Sequence, residues 1–265
     1  MTSLEELAAF AQGLADTSGA VIRPFFRATL DVTDKAAGLS GFDPVTVADR
    51  EAELAMRRAI KARFPAHGIL GEEHGHEPGT DRHTWVLDPI DGTRAFICGM
   101  AQWGTLIALN DGDNPVLGIL DQPITHERWI GHGTHAELVT PEGRRPIHVR
   151  TCASLSAAVI TTTHPTAYFT ASEQAAFQRL AAEARMSRFG GDCYAYGLLA
   201  MGFIDLVVES SLKAWDVQAL IPIIRAAGGI VTAWDGGDPQ NGGRVIAAGD
   251  PRVHAEALAV LSRVH

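Results

Sequence analysis

The stretch Trp85-Val-Leu-Asp-Pro-Ile-Asp-Gly-Thr-Arg94 carries two acids, Asp88 and Asp91, out of a short apolar segment. A proline and a glycine in the same stretch predict a turn. Acids held together at the end of an apolar strand repel each other, and a cation between them relieves the repulsion. The Gly-Thr-Arg segment at residues 92–94 is typical of a helix or turn start with free backbone N–H groups, which suits an anion. Oxygen ligands beside an anion-binding turn predict a site that binds Mg²⁺ together with a phosphate group.

Two further segments complete this pattern. Upstream, Ile69-Leu-Gly-Glu-Glu73 ends another apolar stretch in two carboxylates, and far downstream Trp215-Asp216 opens an apolar segment from Val217 to Gly229. The three motifs, in this order and at these distances, resemble the inositol monophosphatase family of Mg²⁺-dependent, lithium-sensitive phosphatases over nearly the whole chain. The resemblance implies α+β and α/β halves in an inositol-monophosphatase-like layered α-β-α-β-α sandwich.

Four carboxylates from these motifs are the candidate metal ligands. Mg²⁺ takes hard oxygen ligands in near-octahedral geometry, and four carboxylates can hold two ions. The resemblance implies that Asp91 and Asp216 share one Mg²⁺. It also implies that Glu72 and Asp88 hold another with the backbone carbonyl of Ile90, and we expect two or three ions per site. The alternative for each acid taken alone is a solvated turn residue.

The candidate catalytic residues are Thr93, Asp49 and Glu72. A metal lowers the pKa of water, and a hydroxyl relayed to a carboxylate can orient that water and accept its proton. By resemblance, Thr93 contacts the attacking water and Asp49 supports Thr93, while electrostatics or capping at a helix N-terminus is the competing interpretation of Asp49. The amides of Gly92 and Thr93 would hold the phosphate. Lys35 either reaches over from its loop or is an ordinary surface lysine.

Two acids near the expected leaving group distinguish this chain from inositol phosphatases. Asp192, in the segment Arg188-Phe-Gly-Gly-Asp-Cys-Tyr-Ala-Tyr196, stands where inositol enzymes have a small residue, and Glu209 matches a family acid that touches the leaving alcohol. Two acids suit a cationic alcohol better than a neutral polyol. The alternative for Asp192 is a cap on the helix from Tyr194. The candidate substrate-binding residues are Gly92, Thr93, Arg94, Gly190, Gly191, Asp192, Glu209 and Asp216.

The same segments are most similar to the histidinol-phosphatase branch of the family. That similarity implies hydrolysis of L-histidinol phosphate in histidine biosynthesis, because its amine and imidazole give Asp192 and Glu209 something to bind. The open alternatives are inositol 1-monophosphate and then 3′-phosphoadenosine 5′-phosphate, for whose second phosphate no basic cluster is visible. A mainly binding or regulatory role is the alternative from another class, and the intact set of acids favours catalysis.

Composition and charge set the partners and the compartment that we expect. The 265 residues carry a net charge of −9 and no long basic run, which argues against nucleic acid as a partner. No stretch approaches the roughly 20 apolar residues of a membrane span, so we expect no membrane partner. Three cysteines without a C-x-x-C pair favour a reducing compartment, and we expect the cytoplasm. The expected partner is a small phosphomonoester, and the family's usual state predicts a homodimer.

Along the chain, the spacing of hydrophobic residues predicts helices first, then β-strands, and then strands that alternate with helices. The first helices are predicted from Leu4 towards Phe26 and from Thr46 to Phe64, with a loop from Asp34 to Asp43 between them. An antiparallel meander is predicted between Trp103 and His132. A single helix is predicted from Val217 to Ala227.

A polar stretch at residues 140–145 is the predicted domain boundary. It divides the chain into residues 1–145, an α+β half that carries most metal ligands, and residues 146–265, an α/β half. The second half carries the substrate-specificity residues and the last metal ligand.

Overall fold

The computed structural model describes residues 2–29, 32–34 and 44–264, so Lys35 and the rest of the predicted loop after Asp34 lie outside the described residues. The helices are α1 (Leu4–Ile22), α2 (Val47–Arg63), α3 (Thr93–Ile97), α4 (Ala171–Glu183), α5 (Asp192–Ala200), α6 (Ala214–Val217), α7 (Leu220–Ala226) and α8 (Pro251–Leu261). The strands are β1 (Val32–Asp34), β2 (Pro44–Thr46), β3 (Gly68–Gly71), β4 (Gly75–Glu77), β5 (Thr84–Asp91), β6 (Gly104–Asn110), β7 (Pro115–Gln122), β8 (Glu127–His132), β9 (His135–Thr140), β10 (Gly143–Pro146), β11 (Val159–Thr162), β12 (Met186–Phe189), β13 (Leu206–Leu212), β14 (Ile230–Ala233) and β15 (Gly243–Ala248).

Side-chain caps set where the first two helices begin. The Ser3 hydroxyl accepts a hydrogen bond from the N–H of Glu6, whose carboxylate accepts one from the N–H of Ser3, so α1 begins with a capping box. Thr46 and Asp49 form the same motif at the start of α2. The first helix ends earlier than predicted, because Pro24 has no N–H with which to continue it.

Within the described residues, the strands form three sheets. The largest has the order β10-β9-β8-β7-β6-β5-β3-β4 and is antiparallel except that β3 and β5 are parallel. The second has the order β12-β11-β13-β15-β14, in which β11 is parallel to both of its neighbours. The third consists of β1 and β2, which pair antiparallel. The predicted antiparallel meander is confirmed by β6, β7 and β8.

Alternating side chains place helices on both faces of the two larger sheets. In β5, Trp85 and Leu87 share a buried cluster with α1 and α2, while Val86 between them shares one with α5 and α7. In β13, Val207 faces α5 and α7, whereas its two neighbours along the strand face α4 and α8. The layers are therefore α1/α2, large sheet, α5/α7, five-stranded sheet and α4/α8, which confirms the predicted α-β-α-β-α sandwich.

The predicted boundary segment, residues 140–145, forms a β-hairpin at the edge of the large sheet. Its Arg144 and Arg145 pair with the middle of β9. All four residues of β10 are exposed, so its sequence has no apolar alternation that would have predicted a strand. Strand β10 ends at Pro146, and β11 of the five-stranded sheet begins at Val159. The division of the chain between residues 145 and 146 stays a prediction.

The helix predicted from Val217 to Ala227 is shorter than expected, because α6 ends at Val217 and α7 spans only Leu220–Ala226. Pro222 lacks the N–H that would bond to the carbonyl of Gln218, so the helical hydrogen-bond ladder is interrupted there. The short helix α6 packs against β5 and carries Asp216 in its first turn. This break therefore helps to place an acid from the second half beside the acids of β5.

Candidate metal and substrate site

A β-bulge at the end of β5 sets the positions of the two acids of the Asp-Pro-Ile-Asp motif. The pairing register between β5 and β6 shifts between Asp88 and Asp91. Pro89 lies inside the bulge, where its missing N–H leaves no bond of the ladder unmade, and its carbonyl accepts a hydrogen bond of 2.7 Å from the hydroxyl of Thr105. Oδ1 of Asp88 accepts a hydrogen bond from the N–H of Ile90 at 3.0 Å, so the side chain folds back over the bulge.

Asp216 and Glu72 reach the same place from two other elements. Oδ2 of Asp216 accepts the N–H of Lys213 at 2.6 Å, which fixes the carboxylate at the start of α6. Carboxylate oxygens of Asp88, Asp91 and Asp216 lie within 4.8 Å of one another. Glu72 follows β3, and its N–H donates to the carbonyl of Leu87 at 3.2 Å. The structure thus brings three of the four predicted carboxylate ligands together, and the charge of the fourth, Glu72, acts on all three.

Burial makes this cluster of acids unfavourable without a counter-charge. Burial, with further repulsion from Asp192, raises the pKa of Asp91 to about 7. Burial and the charge of Glu72 raise the pKa of Asp88 well above its ordinary value, and burial and the charge of Asp91 do the same for Asp216. Carboxyl groups that are buried together and repel each other form a site for a cation.

Asp49 and Thr93 do not make the contact that the sequence predicted. Oδ2 of Asp49 accepts hydrogen bonds from both the N–H and the hydroxyl of Thr46, at 2.9 and 2.6 Å. The Thr93 hydroxyl donates to the carbonyl of Ile90 at 3.1 Å. Asp49 is the third residue of α2, so the capping box uses its carboxylate. Burial nonetheless raises the pKa of Asp49 to about 6, and the charge of Glu72 contributes, so this carboxyl group interacts electrostatically with one of the predicted metal ligands.

Gly92 makes the turn between β5 and α3 possible. Its φ is 90°, in the region that favours glycine, and a Cβ there would lie 3.0 Å from the carbonyl oxygen of Gln102. The same Cβ would lie 3.1 Å from the Cβ of Asp192. The predicted phosphate seat at Gly92 and Thr93 is therefore adjacent to the predicted substrate-specificity acid, although the two segments are far apart in sequence.

Asp192 opens α5 but does not cap it. The position before the helix is Gly191, and among the described residues the Asp192 carboxylate accepts no hydrogen bond. Burial, with repulsion from Glu209, raises the pKa of Asp192 to about 7, while Arg94 acts in the opposite direction. The helix-cap alternative for Asp192 is wrong. This half-buried carboxyl group has no hydrogen-bond partner among the described residues and is instead available to a ligand.

Glu209 is held at the far side of the same region by the end of β11. Its Oε1 accepts the N–H and the hydroxyl of Thr163 at 2.7 and 3.0 Å, and its Oε2 accepts the hydroxyl of Thr162 at 3.3 Å. The N–H of Gly190 donates to the carbonyls of the same two threonines. Burial raises the pKa of Glu209 to about 8.

Tyr168 is a residue of this region that the sequence analysis missed. The guanidinium of Arg94 stacks over its ring at 5.0 Å. Burial raises the pKa of Tyr168 to about 12, and Asp192 and Glu209 contribute to the increase, which places the phenol near both acids. The segment between β11 and α4 has no periodicity, so no sequence signal predicted this contact.

His67, Asp81 and His83 form a second group of potential ligand atoms, near the start of β5. The indole N–H of Trp85 donates to Nδ1 of His67 at 3.1 Å, and Nδ1 of His83 lies 2.6 Å from Asp81. The two imidazole rings stack with centroids 4.9 Å apart. Because Nδ1 of His67 accepts a hydrogen bond, its other nitrogen carries the proton in the neutral ring and has no lone pair for a metal.

The carboxylate cluster, the adjoining turn and the layered fold define a metal-dependent phosphatase. The chain belongs to the inositol monophosphatase family, whose model matches residues 3–265. Members of this family hydrolyse phosphomonoesters, and we assign the same class of reaction to this chain.

Three relatives illustrate the range of the family around this chain. The Bifunctional phosphatase IMPL2, chloroplastic, of Arabidopsis thaliana is 43% identical over 98% of the chain and 76% of its own length. A histidinol-phosphatase of Mycobacterium tuberculosis is 32% identical over 83% of the chain and 85% of its own. A solved inositol monophosphatase from Zymomonas mobilis superposes with a TM-score of 0.86 at 43% identity, covering 98% of this chain and 99% of that one.

None of the helices in the described part of the chain has the length and apolar character needed to span a membrane.

Proposed function

We propose that this chain is a Mg²⁺-dependent phosphomonoesterase that hydrolyses L-histidinol phosphate to L-histidinol and phosphate in histidine biosynthesis. The observation that carries the substrate is the pair formed by the half-buried Asp192 and the buried Glu209, two acids with raised pKa values beside the carboxylate cluster. A cationic leaving alcohol would compensate both acids, whereas a neutral polyol would leave them uncompensated. The similarity to a histidinol-phosphatase supports the same substrate.

The donor set fits Mg²⁺ as the resident cofactor. Asp88, Asp91 and Asp216 offer only hard carboxylate oxygens, closely spaced, and we propose that Glu72 and the carbonyl of Ile90 complete the ligands of two or three ions. When bound, Mg²⁺ lowers the pKa of water and stabilises negative charge on phosphate oxygens.

The residues of the chain would bind and orient the phosphate ester around that cofactor. We propose that the amides of Gly92 and Thr93 hold phosphate oxygens and that Arg94 adds positive charge beside them. The Thr93 hydroxyl would orient the attacking water. Asp49 would support it as a nearby carboxyl, since a pKa of about 6 suits a group that exchanges a proton near neutral pH.

Gly190 and Gly191 would let the substrate approach the start of α5, where Asp192 lies. In this arrangement Asp192 pairs with the amine or the imidazole of the leaving alcohol, and Glu209 contacts the other end of the same group. The phosphate and the cation are then held at opposite ends of one pocket, which orients the bond to be broken.

The second candidate substrate is inositol 1-monophosphate. It is favoured by the similarity to the inositol monophosphatase from Zymomonas mobilis, which covers both chains almost completely. With this substrate the inositol hydroxyl groups would donate hydrogen bonds to Asp192, and its negative charge would stay uncompensated.

A phosphate-release assay with L-histidinol phosphate, inositol 1-phosphate and 3′-phosphoadenosine 5′-phosphate tests the proposal. We expect kcat/KM to be highest for L-histidinol phosphate in Mg²⁺ and to vanish for every substrate in excess chelator. A preference for inositol 1-phosphate would replace the proposed substrate, and turnover in chelator would contradict the metal requirement.

We further propose a cytoplasmic homodimer with halves at residues 1–145 and 146–265, and a phosphate-proximal role for Lys35. Family resemblance supports the dimer and the lysine, and the odd cysteine count supports the reducing compartment. Sedimentation velocity measures the oligomeric state directly, and a monomer would contradict the dimer.

A further inference from the structure

Helix α2 carries buried charged side chains at every fourth position. Asp49, Glu53 and Arg57 are 1%, 0% and 8% exposed, and residues four apart lie on one face of a helix. Buried charges are costly unless their hydrogen-bonding groups are satisfied. The capping box accounts for Asp49, so Glu53 and Arg57 require a separate explanation.

The carboxylate of Glu53 is bound by the turn that follows β3. Its Oε2 accepts the N–H of Glu73 at 2.7 Å, and its Oε1 accepts the N–H of His74 at 3.1 Å. The same Oε1 accepts Nε of Arg57 at 2.7 Å. One side chain on α2 therefore satisfies two successive amides of a turn in the large sheet.

Arg57 holds the other side of that turn. Its guanidinium donates a hydrogen bond to the carbonyl of Gly75, the first residue of β4, while its Nε remains on Glu53. Glu53 and Arg57 together thus bind two backbone N–H groups and one backbone carbonyl of the turn that connects β3 to β4.

The turn held in this way contains the predicted metal ligand Glu72. The N–H of Glu72 bonds to the carbonyl of Leu87, the residue before Asp88, so this backbone is tied to the strand with the other ligands on one side and to α2 on the other. The fit is close, because a Cβ on Gly71 would lie 2.1 Å from Oε1 of Glu53.

We propose that Glu53 and Arg57 are positioning residues that set the orientation of Glu72 towards the metal ions of the carboxylate cluster. The proposal rests on the proposed Mg²⁺ cofactor and is independent of the proposed substrate. Neither residue is a candidate ligand, since the carboxylate of Glu53 is occupied by the turn and by Arg57. They act through the backbone that carries Glu72, as outer partners of a metal ligand do.

Glu53→Gln is the first test. Glutamine keeps the shape but offers one acceptor oxygen, and its NH₂ group cannot accept from a turn amide. We expect the Kd of Mg²⁺, measured by isothermal titration calorimetry of the free protein, to rise about 10- to 100-fold. The amides of Glu73 and His74 should also exchange hydrogen faster. Lys61→Gln is the matched control, because Lys61 pairs with Glu77 at the exposed end of the same hairpin and does not touch the turn; its Kd should stay at the wild-type value.

Two other variants perturb the same contact from different sides. Gly71→Ala displaces the carboxylate of Glu53 from the neighbouring strand, and Arg57→Gln removes the ion pair while both turn amides keep their acceptor. We expect Gly71→Ala to raise the Kd as Glu53→Gln does, and Arg57→Gln to raise it less. These two variants decide the question if Glu53→Gln does not fold.

A purely structural role predicts a lower melting temperature with an unchanged Mg²⁺ Kd in the folded variants, and that result would overturn the proposal. Recovery of kcat at high Mg²⁺ supports a positioning role. If the wild type hydrolyses no phosphomonoester but the variants bind Mg²⁺ more weakly, the proposed function fails and the positioning role stands. Absence of Mg²⁺ binding by the wild type overturns it.

Discussion

Replacing Asp192 with asparagine should make the metal-free protein more stable and reduce its activity on L-histidinol phosphate. Asparagine has nearly the same shape and, like aspartate, tolerates the positive φ of 41° at this position. The substitution therefore removes a charge with little change in backbone strain.

The stability change follows from the environment of the carboxyl group. A pKa of about 7 against an ordinary 3.8 means that folding penalises the ionised carboxylate by about 4 kcal/mol once the pH exceeds both values. A neutral amide does not carry this penalty. At about 2–4 °C per kcal/mol for a chain of this size, and allowing for the cost of burying the amide, the melting temperature should rise by roughly 5 °C.

The catalytic change has the opposite sign. A cationic substrate would recover the charged contact, which is worth about 1.5–3 kcal/mol, so kcat/KM for L-histidinol phosphate should fall about 10- to 150-fold. Inositol 1-phosphate has no positive charge to lose, and its kcat/KM should change little or increase.

The assay compares melting in chelator near pH 8 with kcat/KM for both substrates in Mg²⁺. Glu51→Gln, at an exposed position of α2, controls for the loss of one negative charge and should change neither quantity. A lower melting temperature with equal losses on both substrates would mean that Asp192 has a structural role. An unchanged substrate ratio would refute the cation pocket and place inositol 1-phosphate first.

Three further outcomes are expected at the metal cluster. Asp91→Asn should lower the phosphatase rate more than about 100-fold while the circular dichroism spectrum is retained, and full turnover would contradict its role as a ligand. Lithium at roughly tens of millimolar should inhibit at limiting Mg²⁺, because an ion of similar size and lower charge stabilises the leaving oxygen less well, and an undiminished rate would count against this. In chelator, the melting temperature should fall as the pH rises from about 5 to about 9, because Asp91 and Glu209 keep their protons to higher pH in the folded state than in the unfolded state. Saturating Mg²⁺ should reduce that fall, and a flat profile in chelator would contradict it.

The sequence indicated the carboxylate cluster because its acids lie at the ends of apolar elements, and their role as metal ligands stays a prediction. Asp88 and Asp91 end a strand that is buried on both faces, and Asp216 opens a helix that packs against that strand. The layered fold followed from the same motifs. The sequence did not predict strands that lack alternating apolar residues, such as the exposed β10 and the mostly exposed β12.

Contacts between segments far apart in the sequence were not predicted, and the stacking of Arg94 in α3 on Tyr168 is the clearest case. The predicted contact between Asp49 and Thr93 is not formed for a local reason, because Thr46, which is closer in sequence, donates a hydrogen bond to the Asp49 carboxylate. The buried charged residues of α2, which are Asp49, Glu53 and Arg57, were visible in the sequence as charges four residues apart on one face of an amphipathic helix. The sequence analysis predicted this helix from Thr46 to Phe64 without considering those charges.

The distribution of charge explains why this site needs a cation before it needs a substrate. Desolvation and mutual repulsion raise the pKa values of Asp88, Asp91 and Asp216, so in the metal-free protein these carboxyl groups keep their protons to higher pH than free carboxyl groups do. Mg²⁺ must displace those protons, and its apparent affinity therefore rises with pH through the range in which they are lost. Asp192 and Glu209, whose pKa values are also raised, present the same requirement beside the carboxylate cluster, where the proposed cationic alcohol would compensate their charge. A substrate with an anion at one end and a cation at the other matches both requirements, which a neutral polyol phosphate does not.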